Sequence, residues 1–197
     1  MTATTEQIKK LRELTGAGIL DAKRTLEQYH GDFDKALAVL KEKGLQAAEK
    51  KATRVARQGI IEAYVHAGGK IGVLVEVNCE TDFVAATHEF KQLAHDLALQ
   101  VAAFQPRYVS VNDIPDEELQ AHKKIYADAA RAEGKPEDLV ETIAQGKLDA
   151  ALNETVLLRQ RFIRDESLTV HDAIQSVIAK VGENIIVRRF VRFELGE

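Results

Sequence analysis

The run Asn78-Cys79-Glu80-Thr81-Asp82-Phe83-Val84-Ala85 gathers a thiol, two carboxylates, a hydroxyl and an aromatic ring within eight residues. A catalytic thiolate needs a neighbouring cation to lower its pKa. Cys79 has Glu80 beside it instead, which would raise it, so the residue reads as a packed thiol at a strand end. As the one cysteine of the chain, it can form no intrachain disulfide and is too little for a structural zinc site. The six histidines stand at 30, 66, 88, 95, 122 and 171. His88 and His95 are nearly two helical turns apart, and neither has the i, i+4 partner of a zinc-binding helix. No serine lies in a Gly-x-Ser-x-Gly elbow. Gly16-Ala17-Gly18 lacks the Lys-Ser/Thr pair of a phosphate loop and reads as a tight turn between helices. These residues therefore predict no enzyme, no metal or other cofactor and no nucleotide site of the chain's own. They predict a protein that acts by binding. Phe83 follows three polar side chains and falls outside both flanking hydrophobic periods, which leaves it either a core plug or an exposed aromatic anchor.

The elements around this run follow from periodicity and capping. Thr4 and Gln7 make a capping box, Ile8, Leu11 and Leu14 follow at helical spacing, and Gly16 stops the first helix. A second helix spans about Ile19 to Tyr29, and Asp32 caps a third that carries Phe33, Leu37 and Leu40 and stops at Gly44. Residues 45–58 predict a basic, alanine-rich connecting helix, with Lys50, Lys51, Arg54 and Arg57 as candidate phosphate contacts but no interleaved aromatics. From Ile60 the period changes to two, and Ile60 to His66, a Gly68-Gly69 turn and Ile71 to Val77 predict a β-hairpin. The run at 78–85 then forms a strand-to-helix corner, a position that often carries function. A helix over about His88 to Phe104 buries Phe90, Leu93, Ala94, Leu97, Val101 and Phe104. Pro115 and Pro136 open two further helices, the second interrupted at Gly146. Thr169 caps a helix through Val181 that Gly182 ends, and Ile185 to Phe193 forms a final strand that joins the hairpin. The fold class predicted is α+β, with about three antiparallel strands covered by helices on one face.

At 197 residues, with 45% hydrophobic and 29% charged residues, the chain has the composition of an ordinary soluble globular protein. Its formal net charge of −4 argues against general attraction to nucleic acid. Neither a signal-like amino terminus nor an apolar run long enough for a membrane span occurs, and a single cysteine suits a reducing compartment. A cytoplasmic location is expected.

Asn78-Cys79-Glu80-Thr81-Asp82-Phe83-Val84 resembles the signature of the elongation factor Ts family, nucleotide-exchange factors for the translational GTPase elongation factor Tu. Further landmarks occur in order: Leu11-Arg12-Glu13 with Thr15-Gly16-Ala17-Gly18, Gly72 to Val77, Gly134-Lys135-Pro136, Gly182-Glu183-Asn184-Ile185 and Arg188-Arg189-Phe190. The resemblance covers nearly the whole chain. It implies a ubiquitin-associated-like three-helix docking module at 1–44, the connecting helix at 45–58, and an α+β core and dimerisation domain at 59–197. It also implies elongation factor Tu as partner, docked through Arg12, Ile19 and Leu20 and through Thr81, Asp82, Phe83 and Val84. Of these, Asp82 and Phe83 would push into the GTPase domain, although Asp82 could equally cap the following helix. Many members of the family have a duplicated core, whereas this chain has one set of core landmarks. It resembles the short form, which implies a non-covalent homodimer with the final strand as candidate shared surface. The competing reading is an RNA-associated or protein-interaction module without exchange activity.

Overall fold

The structure, a computed structural model, describes residues 3–197; Met1 and Thr2 of the expected 1–44 module lie outside the described residues. Short-range caps start and stop the first helices. In α1 (Thr5–Thr15) the Thr4 and Gln7 side chains and backbone N–H groups cap one another reciprocally, and Gly16 closes the helix at φ 70°. Helix α2 (Ile19–Gln28) starts after Gly18, and Asp32 accepts from the Lys35 N–H at 3.1 Å to cap α3 (Phe33–Glu49). Leu11, Ala22, Leu26, Ala36 and Leu40 meet between these helices. A core this small gives only marginal stability alone, and the module leans on the rest of the chain.

It leans on α8 (Val170–Val181) through two glycines. A Cβ on Gly16 would lie 2.4 Å from the Lys180 Cα, and one on Gly44 would lie 3.0 Å from the Ala179 Cβ. Gly44 accordingly does not stop α3, which continues to Glu49. Its absent side chain serves close helix approach instead of a C-cap. The connecting helix expected at 45–58 is therefore the last turn of α3, followed by turns at 50–53 and extended chain.

The sheet is built on β2 (Ile71–Cys79), which lies between β1 (Gln58–Val65) and β5 (Ile186–Glu194), antiparallel to both. Alternation puts Val73, Val75, Val77 and Cys79 of β2 on the inner face, against Phe90, Leu93, Ala94, Leu97, Ala98 and Val101 of α5 (His88–Phe104). Helix α8 completes this layer with Val170, Ala173, Ile174 and Ile178. Burying each such valine, leucine or isoleucine contributes about 1.5–3 kcal/mol, so this layer carries most of the stability. Phe104 departs from the expected buried stripe: as the last residue of α5 it is half exposed. The class is α+β with helices on one face of a three-stranded antiparallel sheet, as the pattern predicts.

Between α5 and α8, α6 (Asp116–Ala132) and α7 (Glu137–Thr155) form a two-helix arm closed by Ala127, Ala130, Val140 and Ala144 and rooted on Ile114, Leu148, Leu152 and Val156. Helix α7 runs unbroken through Gly146. Glycine costs about 1 kcal/mol of helix propensity, and the stripe Val140, Ala144, Leu148, Leu152 overrides it. A small hairpin, β3 (Arg161–Phe162) with β4 (Asp165–Thr169), was not predicted, because strands this short show no period. Among the described residues no helix is long and apolar enough to cross a membrane, and no cluster of three His, Cys, Asp or Glu is placed to hold a metal.

Candidate functional site

The corner after β2 is made by a four-residue helix, α4 (Asp82–Ala85). Thr81, not Asp82, is its N-cap, and Thr87 caps α5, accepting from the Phe90 N–H at 3.3 Å. The capping role left open for Asp82 is thus taken by the two threonines. Asp82 is exposed, and among the described residues its carboxylate makes no hydrogen bond or ion pair. Val84 and Ala85 turn inward and pack on the sheet core. Phe83 points the other way and is 82% exposed. It is not a core plug.

An exposed ring on so short a helix needs an external support, because a single turn is not stable by itself. The support comes from the turn between α8 and β5. The Thr81 N–H and hydroxyl donate to the two carboxylate oxygens of Glu183 at 2.9 and 2.7 Å. In return the Asn184 N–H donates to the Glu80 carboxylate at 2.7 Å, and the Arg54 guanidinium lies 3.6 Å from it. The Asn184 amide donates to the Arg54 and Ala52 carbonyls at 2.7 and 3.3 Å, tying in the link from the N-terminal module. The bonds to the Glu183 and Glu80 carboxylates are charge-assisted and about twice as strong as neutral ones.

Cys79 lies under this clamp, fully buried, with its thiol donating to the Thr81 carbonyl at 3.0 Å. Burial pushes its pKa up, and the charge of Glu183 adds to the effect. The neighbouring carboxylates that raise it are Glu183 first and Asp82 after it, not Glu80. The thiol is a structural group at a strand end.

The second predicted set lies on the other lobe. Arg12 is in the last turn of α1, and Ile19 and Leu20 open α2, exposed by 57% and 66%. Gly16-Ala17-Gly18 is the interhelix turn that presents them. Sequence reasoning missed Arg54, Glu80, Glu183 and Asn184 as parts of the site. The string Gly182-Glu183-Asn184 was legible as a landmark, but its contact with the corner spans about a hundred residues and leaves no local signal. His95, considered as a metal ligand, instead pairs with Glu62 at 2.9 Å. The basic stretch forms no phosphate-binding helix, since α3 ends at Glu49 and Arg54 faces Glu80.

The sequence that folds into this braced corner is matched over residues 2–197 by the family model described as Elongation factor TS. The chain belongs to the elongation factor Ts family. It is 52% identical over 197 residues to an elongation factor Ts of Coprothermobacter proteolyticus, each chain being covered completely. It is 53% identical over 194 residues to an elongation factor Ts of Carboxydothermus hydrogenoformans, covering 98% of this chain and 89% of the relative. A relative of the same name from a Thermoanaerobacter species is 50% identical over 192 residues, covering 98% and 94%. The corner and the exposed α1–α2 turn are thus parts of an elongation factor Ts fold at nearly full length.

Proposed function

We propose that Asp82 and Phe83 are the elements by which this chain, through its family a guanine-nucleotide exchange factor for elongation factor Tu, forces GDP from that GTPase. The observation that carries the reading is the 82% exposure of Phe83 on a clamped corner. A ring left in water by its own fold gains free energy when it enters a partner's apolar crevice. Wedged between helices of the GTPase domain, it trades that gain for a shift of the elements that hold magnesium and the phosphates. Asp82, exposed and unpaired, brings negative charge to the same place and opposes the phosphates' own balance with the metal. Thr81 and Val84 contribute by holding the pair outward. Arg12, Ile19 and Leu20 dock the three-helix module, α1 to α3, on the same partner, so two surfaces on one chain reinforce each other. The chain itself hydrolyses nothing. By linkage, nucleotide weakens its grip on the partner by the ratio with which it weakens nucleotide, so incoming GTP displaces it.

The chain acts as a non-covalent homodimer through the uncovered sheet face. Cross-strand register lines up Val65, Gly72 and Phe193 in one row, Ala63, Leu74 and Val191 in the next, and Ile61, Glu76 and Arg189 in a third. Phe193, Val65 and Ile61 are each about two-thirds exposed, and Arg189 bonds Glu76 at 2.8 Å across the third row. Large apolar side chains left exposed side by side on one sheet face support self-association. The core at 59–197 is then the dimerisation domain, and the working compartment is the cytoplasm.

The test is stopped-flow release of a fluorescent GDP analogue from elongation factor Tu. Trace amounts of the chain should accelerate release without moving the final GDP/GTP balance. Absence of acceleration would remove the exchange reading.

A further inference from the structure

Helix α4 is too short to orient Phe83, and its own cap is weak, with Thr81 accepting from the Val84 N–H at 3.4 Å. Glu183 supplies what the helix lacks. Both of its carboxylate oxygens are used on one residue, the Thr81 N–H at 2.9 Å and the Thr81 hydroxyl at 2.7 Å. A carboxylate that grips two donors of one residue fixes rotation as well as distance. The brace also stands on rigid ground. Three residues after Glu183 the chain enters β5, where Ile186 pairs with Asn78 of β2 immediately before the corner. Corner and brace are thus carried by neighbouring strands of one sheet.

We propose that Glu183 is a positioning residue for nucleotide exchange, holding Thr81 so that Phe83 meets the GTPase in the orientation that opens it. The proposal rests on the reading of Phe83 as the partner-facing wedge. Without Glu183, both Thr81 donors lose their acceptor and the corner can turn about the Glu80–Thr81 bonds. Phe83 makes few contacts of its own that would resist the turn. The chain would keep its surface for docking but would deliver the ring off its line, and a misplacement near 1 Å costs on the order of a hundredfold in rate.

Cys79 provides a direct reporter. It is the one thiol of the chain, fully buried, and donates to the Thr81 carbonyl. Because the Glu183 charge also raises its pKa, its labelling by a disulfide reagent is compared between proteins at equal thiolate fraction, and then reads the opening of this corner in the free protein. Glu183→Ala should slow GDP release at saturating exchange factor by about tenfold or more, and should accelerate Cys79 labelling. Phe83→Ala should slow release while leaving labelling at the wild-type rate. If Glu183→Ala does not fold, Glu183→Gln, which keeps the volume and one acceptor, is measured in the same two assays with the same directions expected. Normal saturating release by the Glu183 variant, with Phe83→Ala slow, overturns the positioning role and leaves the wedge standing, whatever the labelling rate. Normal release by Phe83→Ala overturns the wedge reading, and the positioning role falls with it.

Discussion

Replacing Phe83 by alanine separates what the ring does for the fold from what it does for the partner. In the free chain the residue is 82% exposed, so its removal opens no cavity, and stability should change by no more than about 0.5 kcal/mol, as for other surface substitutions. For a chain of this size that is about 2 °C or less in the thermal midpoint. A buried phenylalanine would cost about 3–5 kcal/mol, enough to lower the midpoint by at least about 6 °C. On the partner the balance reverses. Full burial of a phenylalanine side chain is worth about 1.5–3 kcal/mol. Since about four-fifths of that surface is still in water, about 1.2–2.4 kcal/mol remains to be gained on insertion. If the gain is made in the transition state for GDP release, its loss slows release roughly eight- to sixtyfold. The assay is stopped-flow release of a fluorescent GDP analogue at saturating exchange factor, paired with thermal unfolding of the free variant. A midpoint several degrees lower would refute the assignment of the ring to the surface. An unchanged release rate with an unchanged midpoint would refute the wedge.

Gly16→Ala should destabilise the chain by about 1–3 kcal/mol, because the new Cβ would meet the Lys180 Cα at 2.4 Å with the backbone held at φ 70°; limited proteolysis in 50–57 should quicken as the N-terminal module is pushed off α8. Phe193→Asp, which puts a charge on the β5 edge of the open sheet face, should bring light-scattering mass down from twice the 21.8 kDa of the chain to that of one chain; a wild-type protein already at one chain mass would refute the dimer. Stability should fall in acid. Burial pushes the Asp172 carboxyl up, but this is more than offset by hydrogen bonds from the Thr169 hydroxyl and N–H, and by the charges of His171 and Arg161, so the folded pKa lies below 3.8. Asp32, held by the Lys35 N–H, and Asp165, held by the Ser167 hydroxyl, are lowered too. For a lowered carboxylate the stabilisation is present above the unfolded value and is lost as pH falls through the folded one. Thermal midpoints should therefore drop below about pH 4, and Asp172→Asn should reduce that slope.

The sequence by itself determined many of the features whose cause lies within a few residues. Thr4 with Gln7, Asp32, and Thr169 with Asp172 cap helices across three residues, and Gly16 and Gly182 close helices in the left-handed region. The period of two in β1 and β2 fixed which residues face α5, since alternation leaves a half-buried strand only one choice of face. The family signature was legible as well, being a string of residue types. Tertiary structure alone decided the rest. Gly44 reads as a stop and is a contact glycine, because the helix it meets lies more than a hundred residues away. Gly146 reads as a break and is overridden by the packing of α7 on α6. Phe83 could be plug or anchor until Val84 and Ala85 took the inward positions of α4 and left the ring outside. Glu183 carries no local mark of its grip on Thr81, since a hydrogen bond between residues so far apart is fixed by the pairing of β5 with β2 and not by spacing along the chain.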